Sequence, residues 1–316
     1  MGSEVYFSQR RATQGCGLLD KLEQLCEAAG LSTIVPNGGQ VALLTTFAEP
    51  GNTTYVRPAF AHRVAGCVAG QGGRPFLTDT MPWPPTARVN EATVLLAAAA
   101  HGFVALDGEL SLQVADAPSS SEGLPLSPGH GSPALIAPRI AGAEGLLLLT
   151  HVTCHAAWGV VGALTQLGFG AASMRGKAEI LGNFEASEVA FRDDEERQAR
   201  VQRLLKSAAA VVSQKQGRIG YINLLLDVTP DDDNRPWSDA PIVPDIGILV
   251  SRDPVAIDQA TADLLQQAPG IAGTRLIDPL VRDKLRAVHP GIDWEAPLRL
   301  GEEFVLGHRD YELMIV

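Results

Sequence analysis

The amino-acid sequence predicts an α/β fold in which a mostly parallel sheet is flanked by helices. Short apolar runs rich in β-type residues alternate with amphipathic helical stretches along the chain, which is the order that parallel βαβ units require. Of the 316 residues, 46% are hydrophobic and 19% are charged. This is the composition of a folded globular protein with enough apolar material for one large domain or two smaller ones.

The first half of the chain consists of repeated strand–helix pairs. One helical stretch ends at Gly30, a residue type that favours the position after a helix C-terminus. Pro58 stands in the first turn of another helix, where its missing N–H has no cost. The elements predicted here are, in order, a strand at 5–8, a helix at 18–29, a strand at 41–47, a helix at 58–69, a strand at 76–80, a helix at 90–100 and a strand at 110–114.

A stretch rich in Ser, Pro and Gly at residues 116–133 separates the two halves, and its composition indicates a linker or surface loop. The continuous apolar run at 146–152 predicts a buried strand. Residues 193–214 carry acidic groups first and basic groups later, which suits the dipole of a long helix. The remaining predicted elements are a helix at 155–167, strands at 220–227 and 246–250, helices at 253–267 and 280–288, and a β-type ending at 304–316.

Composition and charge argue against several classes of partner. The formal net charge is −11, and no block of Lys and Arg stands out, so nucleic acid is not an expected partner. The longest apolar runs are far shorter than the roughly 20 residues of a membrane span, and the N-terminus has no apolar signal core. We therefore expect a cytoplasmic protein that binds a small molecule, with no membrane partner. The sequence leaves a homodimer open.

The four cysteines, Cys16, Cys26, Cys67 and Cys154, are scattered without any C-x-x-C spacing. Spacing alone therefore predicts neither a structural zinc site nor an iron-sulfur cluster. Cys26 and Cys67 lie inside apolar helical patterns, where buried structural thiols are the default interpretation.

Polar residues that directly follow predicted strands are the candidate site residues, because parallel sheets bind their ligands at the carboxyl edge. Such residues occur after most of the predicted strands. The candidates that this criterion selects include Glu49, Asn52, Thr53, Thr54, Arg57, Asp79, His151, His155, Asp227 and Asp239.

His151 and His155 are the candidates with the clearest chemistry. If they occupy the first turn of a helix, their i, i+4 spacing places both imidazoles on one face, as a metal-binding or proton-transferring pair requires. The alternative is that one histidine is exposed or caps the helix while the other packs against Trp158. Spacing alone does not decide between these two interpretations.

The segment AEPGNTTYVRP offers a second candidate site. Gly51 permits a tight turn, and Asn52, Thr53 and Thr54 supply hydroxyl and amide groups before a helix start. Such a turn can bind a carboxylate or phosphate, with Arg57 as a bidentate clamp. A plain helix cap is the alternative interpretation.

The acidic stretch PDDDNRPWSDAPIVPD is a third candidate. Its carboxylates predict an oxygen-rich site that would suit Mg²⁺, Mn²⁺ or Ca²⁺ rather than a soft metal. Runs of Asp are also common in solvated loops, so the alternative is an acidic loop without a bound cation.

Five segments together resemble a known family. GNTTYVRP, PFLTDT, INLLLDVTP, PWSDAPIVPDIGIL and DPVAIDQA are similar to the DUF362 family of bacterial and archaeal proteins, which are usually described as iron-sulfur-centre proteins. The resemblance runs from about residue 5 to residue 269. Arg175, Lys177 and Trp237 keep the family pattern, and the resemblance adds them as candidate substrate-binding residues.

The chain also departs from that pattern. It lacks the cysteine-rich, ferredoxin-like insert that relatives carry between the positions of Lys177 and Ile222, so we expect no iron-sulfur cluster. Asp231, Asp232 and Asp233 stand where relatives carry cysteines, which indicates the remnant of a thiolate site. Lysine and histidine positions of the family are occupied here by Leu44, Thr46, Thr153 and Thr165.

The resemblance has structural and functional implications. The family is distantly similar to nickel-dependent lactate racemases, which implies two lobes, residues 1–140 and 141–316, with a ligand cleft between them. By this analogy His151 and His155 are general acid/base groups or ligands of one divalent metal ion. Glu49 and Asp79 would assist catalysis, and Asp227 and Asp239 would complete a metal shell.

The function that this combination indicates is an enzyme of specialised metabolism, of the aromatase, cyclase, lyase or isomerase type. Its substrate would be an oxygenated or carboxylated intermediate, held by Asn52, Thr54 and Arg57. The alternative is a non-catalytic ligand-binding or assembly protein that kept the fold after losing the iron-sulfur chemistry. A redox protein that borrows its cluster from a partner is a third, weaker alternative.

Overall fold

An eight-stranded sheet forms the centre of the computed structural model, which describes residues 2–104, 110–117, 122–129, 132–182 and 194–316. The described strands are, in chain order, β1 (Ser3–Gln9), β2 (Gln40–Leu44), β3 (Arg74–Asp79), β4 (Ser111–Val114), β5 (Leu124–Leu126), β6 (Ala134–Ile136), β7 (Gly145–His151), β8 (Thr153–His155), β9 (Gly159–Val161), β10 (Ile219–Leu225), β11 (Gly247–Ser251) and β12 (Tyr311–Ile315). The large sheet has the order β12-β1-β11-β10-β7-β2-β3-β4, while β5 pairs with β6 and β8 with β9.

The strands of the large sheet are mostly parallel, which confirms the predicted α/β fold. Strands β10, β7, β2, β3 and β4 form parallel neighbours, as do β1 and β12. Strand β11 is antiparallel to both β10 and β1. The chain reaches β11 from β10 through a loop without a helix, and a parallel return would need a helical crossover.

The sheet does not divide at residue 140. Strand β2, from the expected N-terminal lobe, pairs directly with β7 of the expected C-terminal lobe. Strand β1 lies beside β11 and β12, at the far side of the C-terminal strands. Both halves of the chain therefore contribute to one sheet, while the expected lobes at residues 1–140 and 141–316 stay a prediction. Ligands of such sheets bind at the carboxyl edge of the parallel strands.

Helices cover both faces of the sheet. The described helices are α1 (Leu18–Ala28), α2 (Pro58–Gly70), α3 (Glu91–Ala100), α4 (Pro138–Gly142), α5 (Ala163–Thr165), α6 (Met174–Leu181), α7 (Asp194–Lys215), α8 (Pro254–Gln267), α9 (Lys284–Val288) and α10 (Ala296–Glu303). Along β7, Leu146 and Leu148 face one hydrophobic core while Leu147 and Leu149 face the other. This alternation explains the unbroken apolar run, because both faces of the strand are buried. Within these described ranges, no helix is long and apolar enough to span a membrane.

The predicted helix at 155–167 is wrong. The chain forms the β8–β9 hairpin here, then the short α5 and one π-helical turn, Gln166–Gly170. Gly159 at the turn has φ +79°, and a Cβ there would lie 2.2 Å from Cβ of Trp294. Tertiary packing against Trp294 thus sets this turn, and the sequence periodicity of the segment does not reveal it.

Other boundaries differ in smaller ways. The helix predicted from residue 280 begins only at Lys284, because Asp283 caps it. The expected surface loop at 116–133 includes β5, which pairs with β6. Part of that loop, residues 118–121 and 130–131, and the predicted helix start at residue 193 lie outside the described residues.

Candidate ligand-binding and acid-base site

A cavity of about 520 Å³ opens at the carboxyl ends of the parallel strands. Thr46 after β2, Asp79 at the end of β3 and His151 at the end of β7 line it, together with residues 231–235. This is the edge at which parallel sheets place their ligands. Its aromatic lining residues are Trp83, Trp158 and Phe169.

The GNTT segment, Gly51–Thr54, binds the acidic loop, residues 230–245, through hydrogen bonds. The side-chain amide of Asn52 donates to the carbonyls of Arg235 and Trp237, both at 3.2 Å. The hydroxyl of Thr54 donates to Ser238 Oγ at 2.7 Å, and the amide of Thr53 donates to the same oxygen. The polar groups of Asn52, Thr53 and Thr54 thus bind the protein's own chain, and the substrate-binding role of these residues stays a prediction.

Glu49 and Asp79 belong to a buried ion network centred on Arg88. The guanidinium of Arg88, which is 1% exposed, donates to Glu49 at 2.9 Å, to Asp79 at 2.8 Å and to Asn234 Oδ1 at 2.6 Å. Glu49 also accepts from Thr86 and from the Ala87 amide. These carboxylates are thus paired within the fold, and their expected catalytic role stays a prediction.

His151 is locked into the protein at both ring nitrogens. Nδ1 lies 2.8 Å from Asp233 Oδ1, and Nε2 lies 2.8 Å from the Leu226 carbonyl and 3.2 Å from the Asp227 carbonyl. Burial by itself lowers the pKa of His151, but the charge and hydrogen bond of Asp233, with the carbonyl acceptors, outweigh it and raise the pKa. Both ring nitrogens are thus engaged within the protein, and neither presents a free lone pair to a metal ion in this arrangement.

His155 has a different state. Its Nδ1 accepts the Ala157 amide at 2.9 Å, so Nε2 carries the proton of the neutral ring. The ring lines the cavity and stacks on Trp158, with ring centroids 6.0 Å apart. Burial lowers the pKa of His155, and the negative charge of Asp232 only partly opposes that effect. The side chain is therefore a neutral N–H donor to whatever occupies the cavity.

Several buried polar atoms along the cavity have no partner among the described residues. They are Oγ1 of Thr150, Oγ1 of Thr153 and Nε2 of Gln166, in side chains that are 3%, 0% and 5% exposed. A buried polar group without a hydrogen bond is costly, so such groups in one cavity can bind water or a ligand there. Lys177 also lines the cavity and is 4% exposed, and its substrate-binding role stays a prediction.

A single carboxylate anchors the wall that carries Gln166 and Phe169. Asp258, on α8, accepts the amides of Ala163 and Leu164 at 2.7 and 2.8 Å. These amides lie at the start of the segment that continues into the π-helical turn. Asp258 lies within the DPVAIDQA motif, so that motif positions one wall of the cavity.

A profile described as "Domain of unknown function (DUF362)" matches residues 41–263 of the chain. The chain belongs to this family. The range matched to DUF362 contains the residues that line the cavity, from Thr46 to Arg235. No functionally curated protein matches the sequence.

Among solved structures, the DUF362 chain is similar to the lactate racemase apoprotein from Thermoanaerobacterium thermosaccharolyticum. The TM-score is 0.42 and the sequence identity is 12%, over 70% of this chain and 51% of that one. The chain thus spans about half the length of that protein. The distant likeness concerns the fold alone and indicates no activity.

The side chains present do not fit the iron-sulfur cluster or the metal ion that the DUF362 resemblance implies. Among the described residues, no three or more His, Cys, Asp or Glu side chains are grouped so that they could hold a metal ion. Asp227 pairs with Arg57, and Asp239 lies 3.6 Å from Arg275. Both are thus engaged by arginines, and the expected metal ligands His151, His155, Asp227 and Asp239 do not form a group that could hold a metal ion among the described residues.

The thiols do not fit a cluster either. Cys154 is buried next to β9, and burial raises its pKa to about 12, with the charge of Asp231 adding to the effect. Burial also raises the pKa of Cys26 and Cys67. A cluster needs thiolate ligands close together, usually four of them, and the cysteines are in no group of three or more potential metal ligands among the described residues.

Three further predicted substrate contacts lie away from the cavity. Arg57 pairs with Asp227, as described above. Arg175 pairs with Glu122 and lies 3.6 Å from Glu179 on the surface. Trp237 is 50% exposed, and its ring lies under the guanidinium of Arg235. Neither Arg175 nor Trp237 lines the cavity.

A second, larger groove of about 1110 Å³ lies between α1 and α2 and is lined by Cys26, Cys67, His62 and Arg63. It contains none of the buried unpartnered polar atoms found among the described residues. We therefore assign the ligand site to the smaller cavity, although its volume is about half as large.

The sequence did not reveal Thr150, Thr153, Gln166 and Arg88 as site or network residues. Thr150 and Thr153 flank a candidate histidine at a strand end, which is a signal that the carboxyl-edge criterion could have used. Gln166 and Arg88 carry no such signal, since each acquires its position only through tertiary contacts.

Proposed function

We propose that the protein is an enzyme that binds a small oxygen-rich molecule in the 520 Å³ cavity and transfers a proton to or from it. His155 is the proton donor in this proposal, and Asp232 is the proton acceptor. The observation that carries the proposal is the set of unpartnered buried polar atoms on Thr150, Thr153 and Gln166 beside a histidine whose Nε2 carries a proton.

The polarity of the lining supports a ligand rich in acceptors. Gln166 Nε2 and His155 Nε2 are donors, and the hydroxyls of Thr150 and Thr153 can donate as well. A carbonyl, carboxylate or hydroxyl oxygen would satisfy them. Donors arranged before the reaction around a developing oxyanion are a strong source of transition-state stabilisation.

Asp232 is the carboxylate best suited to accept a proton. It lines the cavity and is the acid whose charge acts most strongly on His155. Asp233 is committed to His151 and Asp231 to Arg275, whereas Asp232 accepts from Asn234 and lies 3.8 Å from Arg235. A carboxylate and a neutral imidazole that differ in protonation form a standard acid–base pair.

The chemistry that follows is enolisation. Asp232 takes a proton from a carbon next to a carbonyl, the C–H electron pair moves into the new C=C bond, and the carbonyl oxygen takes the proton of His155. Return of a proton to the same or another carbon gives isomerisation. Loss of a leaving group or ring closure from the same enol gives a lyase or cyclase reaction, so these classes share the first step.

A role in specialised metabolism, with a substrate from a biosynthetic sequence, belongs to the same proposal. It rests on the departures from the family pattern at Asp231–Asp233 and at Thr153 and Thr165. A divalent metal ion is not part of the proposal, since the nitrogens of His151 are engaged and Asp227 and Asp239 are paired with arginines.

Solvent deuterium exchange tests the proposal. The protein is incubated in D₂O with a panel of 2-oxo and 2-hydroxy acids, and proton NMR follows the loss of the α- or β-hydrogen signal. We expect wild type to catalyse exchange in at least one acid, and His155→Gln and Asp232→Asn to lose it by about 100-fold or more. His308→Gln, on the exposed surface, is the matched control.

Exchange that persists unchanged in both cavity variants would contradict the assigned roles. Ligand binding without exchange would favour the second candidate function, a non-catalytic ligand-binding or assembly protein. A specific observation supports that candidate: His151, Glu49 and Asp79, three of the expected catalytic groups, are fully engaged in structural contacts.

A further inference from the structure

Lys177 is a buried cation without a direct anionic partner. Its Nζ donates to the hydroxyl of Thr80 at 2.6 Å and to the carbonyl of Met81 at 2.7 Å, both of them neutral groups. No carboxylate of the described residues lies within ion-pair distance of Nζ. An ammonium has three protons to donate, so one proton of Lys177 remains for the cavity.

The nearest acids are committed elsewhere. Asp79 accepts from Arg88, from Phe47 and from Thr80. Asp116 accepts the amides of Met81 and Met174 at 2.8 and 2.7 Å. Both carboxylates act on Lys177 only at longer range.

Burial lowers the pKa of Lys177, and the charges of Asp79 and Asp116 only partly oppose this, while that of Arg88 adds to it. A buried ammonium that is not neutralised by direct contact is a strained arrangement, because the charged form has lost its hydration. An anion in the cavity would relieve that strain.

Gln166 lies at the same end of the cavity. The hydroxyl of Thr80 accepts a hydrogen bond from Lys177 and donates one to the Gly170 carbonyl at 2.7 Å. A Cβ on Gly170 would lie 3.2 Å from Nε2 of Gln166, so the side-chain amide of Gln166 packs against Gly170. The ring of Phe169 lies 5.5 Å from Nζ of Lys177. The ammonium, an unpartnered amide and an aromatic face therefore lie close together.

We infer that this end of the cavity is a carboxylate subsite, and that the ligand is a small carboxylic acid held by Lys177 and Gln166. The ammonium supplies the countercharge and the amide N–H a second hydrogen bond, while Phe169 and Trp158 face the apolar part of the acid. The inference rests on the proposed function only in placing the ligand in this cavity. It holds for a catalytic and for a non-catalytic protein alike.

Isothermal titration calorimetry with benzoate and its neutral analogue benzamide tests the subsite in the full-length protein. A fragment of this size should bind wild type with a Kd in the low millimolar range or below. We expect benzoate to bind about 10- to 100-fold more tightly than benzamide, since a charge-assisted hydrogen bond is lost in the neutral analogue.

Variants show which side chains bind the two probes. Lys177→Met should weaken benzoate about 10- to 100-fold and leave benzamide nearly unchanged, and Gln166→Leu should weaken both probes. Lys206→Met, whose ammonium contacts Ser132 outside the cavity, is the matched control and should bind benzoate as wild type does. His155→Gln should keep the preference for benzoate over benzamide, because Lys177 remains in place. This affinity ratio separates failure of the subsite from failure of the proton-transfer proposal.

Several outcomes would overturn the inference. Equal affinity of wild type for benzoate and benzamide excludes an anion subsite, and this comparison needs no variant. Absence of benzoate binding at roughly 10 mM does the same. Wild-type benzoate affinity in a folded Lys177→Met protein shows that another group supplies the charge.

Discussion

The amide of Ala157 donates to Nδ1 of His155 at 2.9 Å, and this contact assigns the proton of the neutral imidazole to Nε2. The contact forms because the chain turns at 156–158 between β8 and β9, a geometry that a helix at this position would not allow. His151, four residues earlier, is held at both nitrogens by Asp233 and by backbone carbonyls. The two histidines that look equivalent in the sequence therefore have different surroundings: His151 is hydrogen-bonded at both ring nitrogens, and His155 accepts a backbone amide at Nδ1.

Replacement of Arg88 should destabilise the protein severely. Arg88→Met leaves Glu49 and Asp79 as buried charges without their countercharge, which costs about 3–5 kcal/mol in comparable cases. Urea unfolding followed by circular dichroism measures the loss. Arg57→Met, which breaks the half-exposed pair with Asp227, should cost less than about 1 kcal/mol. Similar losses in the two variants would refute the structural assignment of Glu49 and Asp79.

The His151–Asp233 contact should make stability depend on pH in a defined direction. The pKa of His151 is raised above its ordinary value of 6.5, so the folded protein holds this proton more tightly than the unfolded chain. The contribution is present in full below pH 6.5 and is lost as pH rises through the raised pKa. Unfolding curves from pH 6 upward should show this decline in wild type, and Asp233→Asn should remove it. A decline that the variant retains would contradict the assignment.

Asp258 should contribute a pH dependence at lower pH. Burial raises its pKa from 3.8 to about 6, although hydrogen bonds from Leu164, Asn223 and Ala163 oppose the shift. The folded protein binds more protons than the unfolded chain in this range. Stability should therefore fall by about 3 kcal/mol as pH rises from 3.8 to about 6.

Unfolding of Asp258→Asn, compared with wild type across that range, measures this contribution of Asp258. The variant should lack the decline, whereas the exposed control Asp310→Asn should keep it. Because Asp258 holds the wall that carries Gln166, the variant should also bind benzoate more weakly. A variant with the full decline would show that another group titrates there.

Replacement of Gly51 tests the contact between the GNTT segment and the acidic loop. Its φ is +100°, and a Cβ would lie 2.6 Å from the Pro236 carbonyl oxygen. Gly51→Ala should therefore push the two segments apart and lower stability by about 1–3 kcal/mol or more. Gly38→Ala is the matched control, since φ is +68° there with no atom within 4 Å of the added Cβ. If thermal unfolding gives equal losses for both variants, the close approach to Pro236 is unimportant.

The parts of the fold that the sequence predicts are those set by local rules. The buried run in β7 and the glycine after α1 can be predicted from the sequence, because strand burial and helix ends depend on residues close in the chain. The β8–β9 hairpin is not, because Gly159 turns there to fit against Trp294, more than a hundred residues away in the chain.

Three of the candidate site residues lie together in the structure, and their roles stay predictions. His151, His155 and Lys177 do line one cavity, as the carboxyl-edge argument and the family pattern indicate. The roles of Glu49 and Asp79 depend on Arg88, which reaches them from a loop with no charge pattern of its own. Whether a carboxylate is catalytic or structural is decided by such tertiary partners, and the strand pattern carries no information about them.

The protonation state of His155 is the most direct test of the account. Long-range ¹H–¹⁵N NMR of protein labelled with ¹⁵N-histidine, with His155→Gln to assign the signal, reports which ring nitrogen carries hydrogen. We expect a neutral ring near pH 7 with hydrogen on Nε2, consistent with the Ala157 contact and the lowered pKa. A neutral ring with hydrogen on Nδ1, or an imidazolium at that pH, would contradict His155 as the neutral proton donor of this cavity.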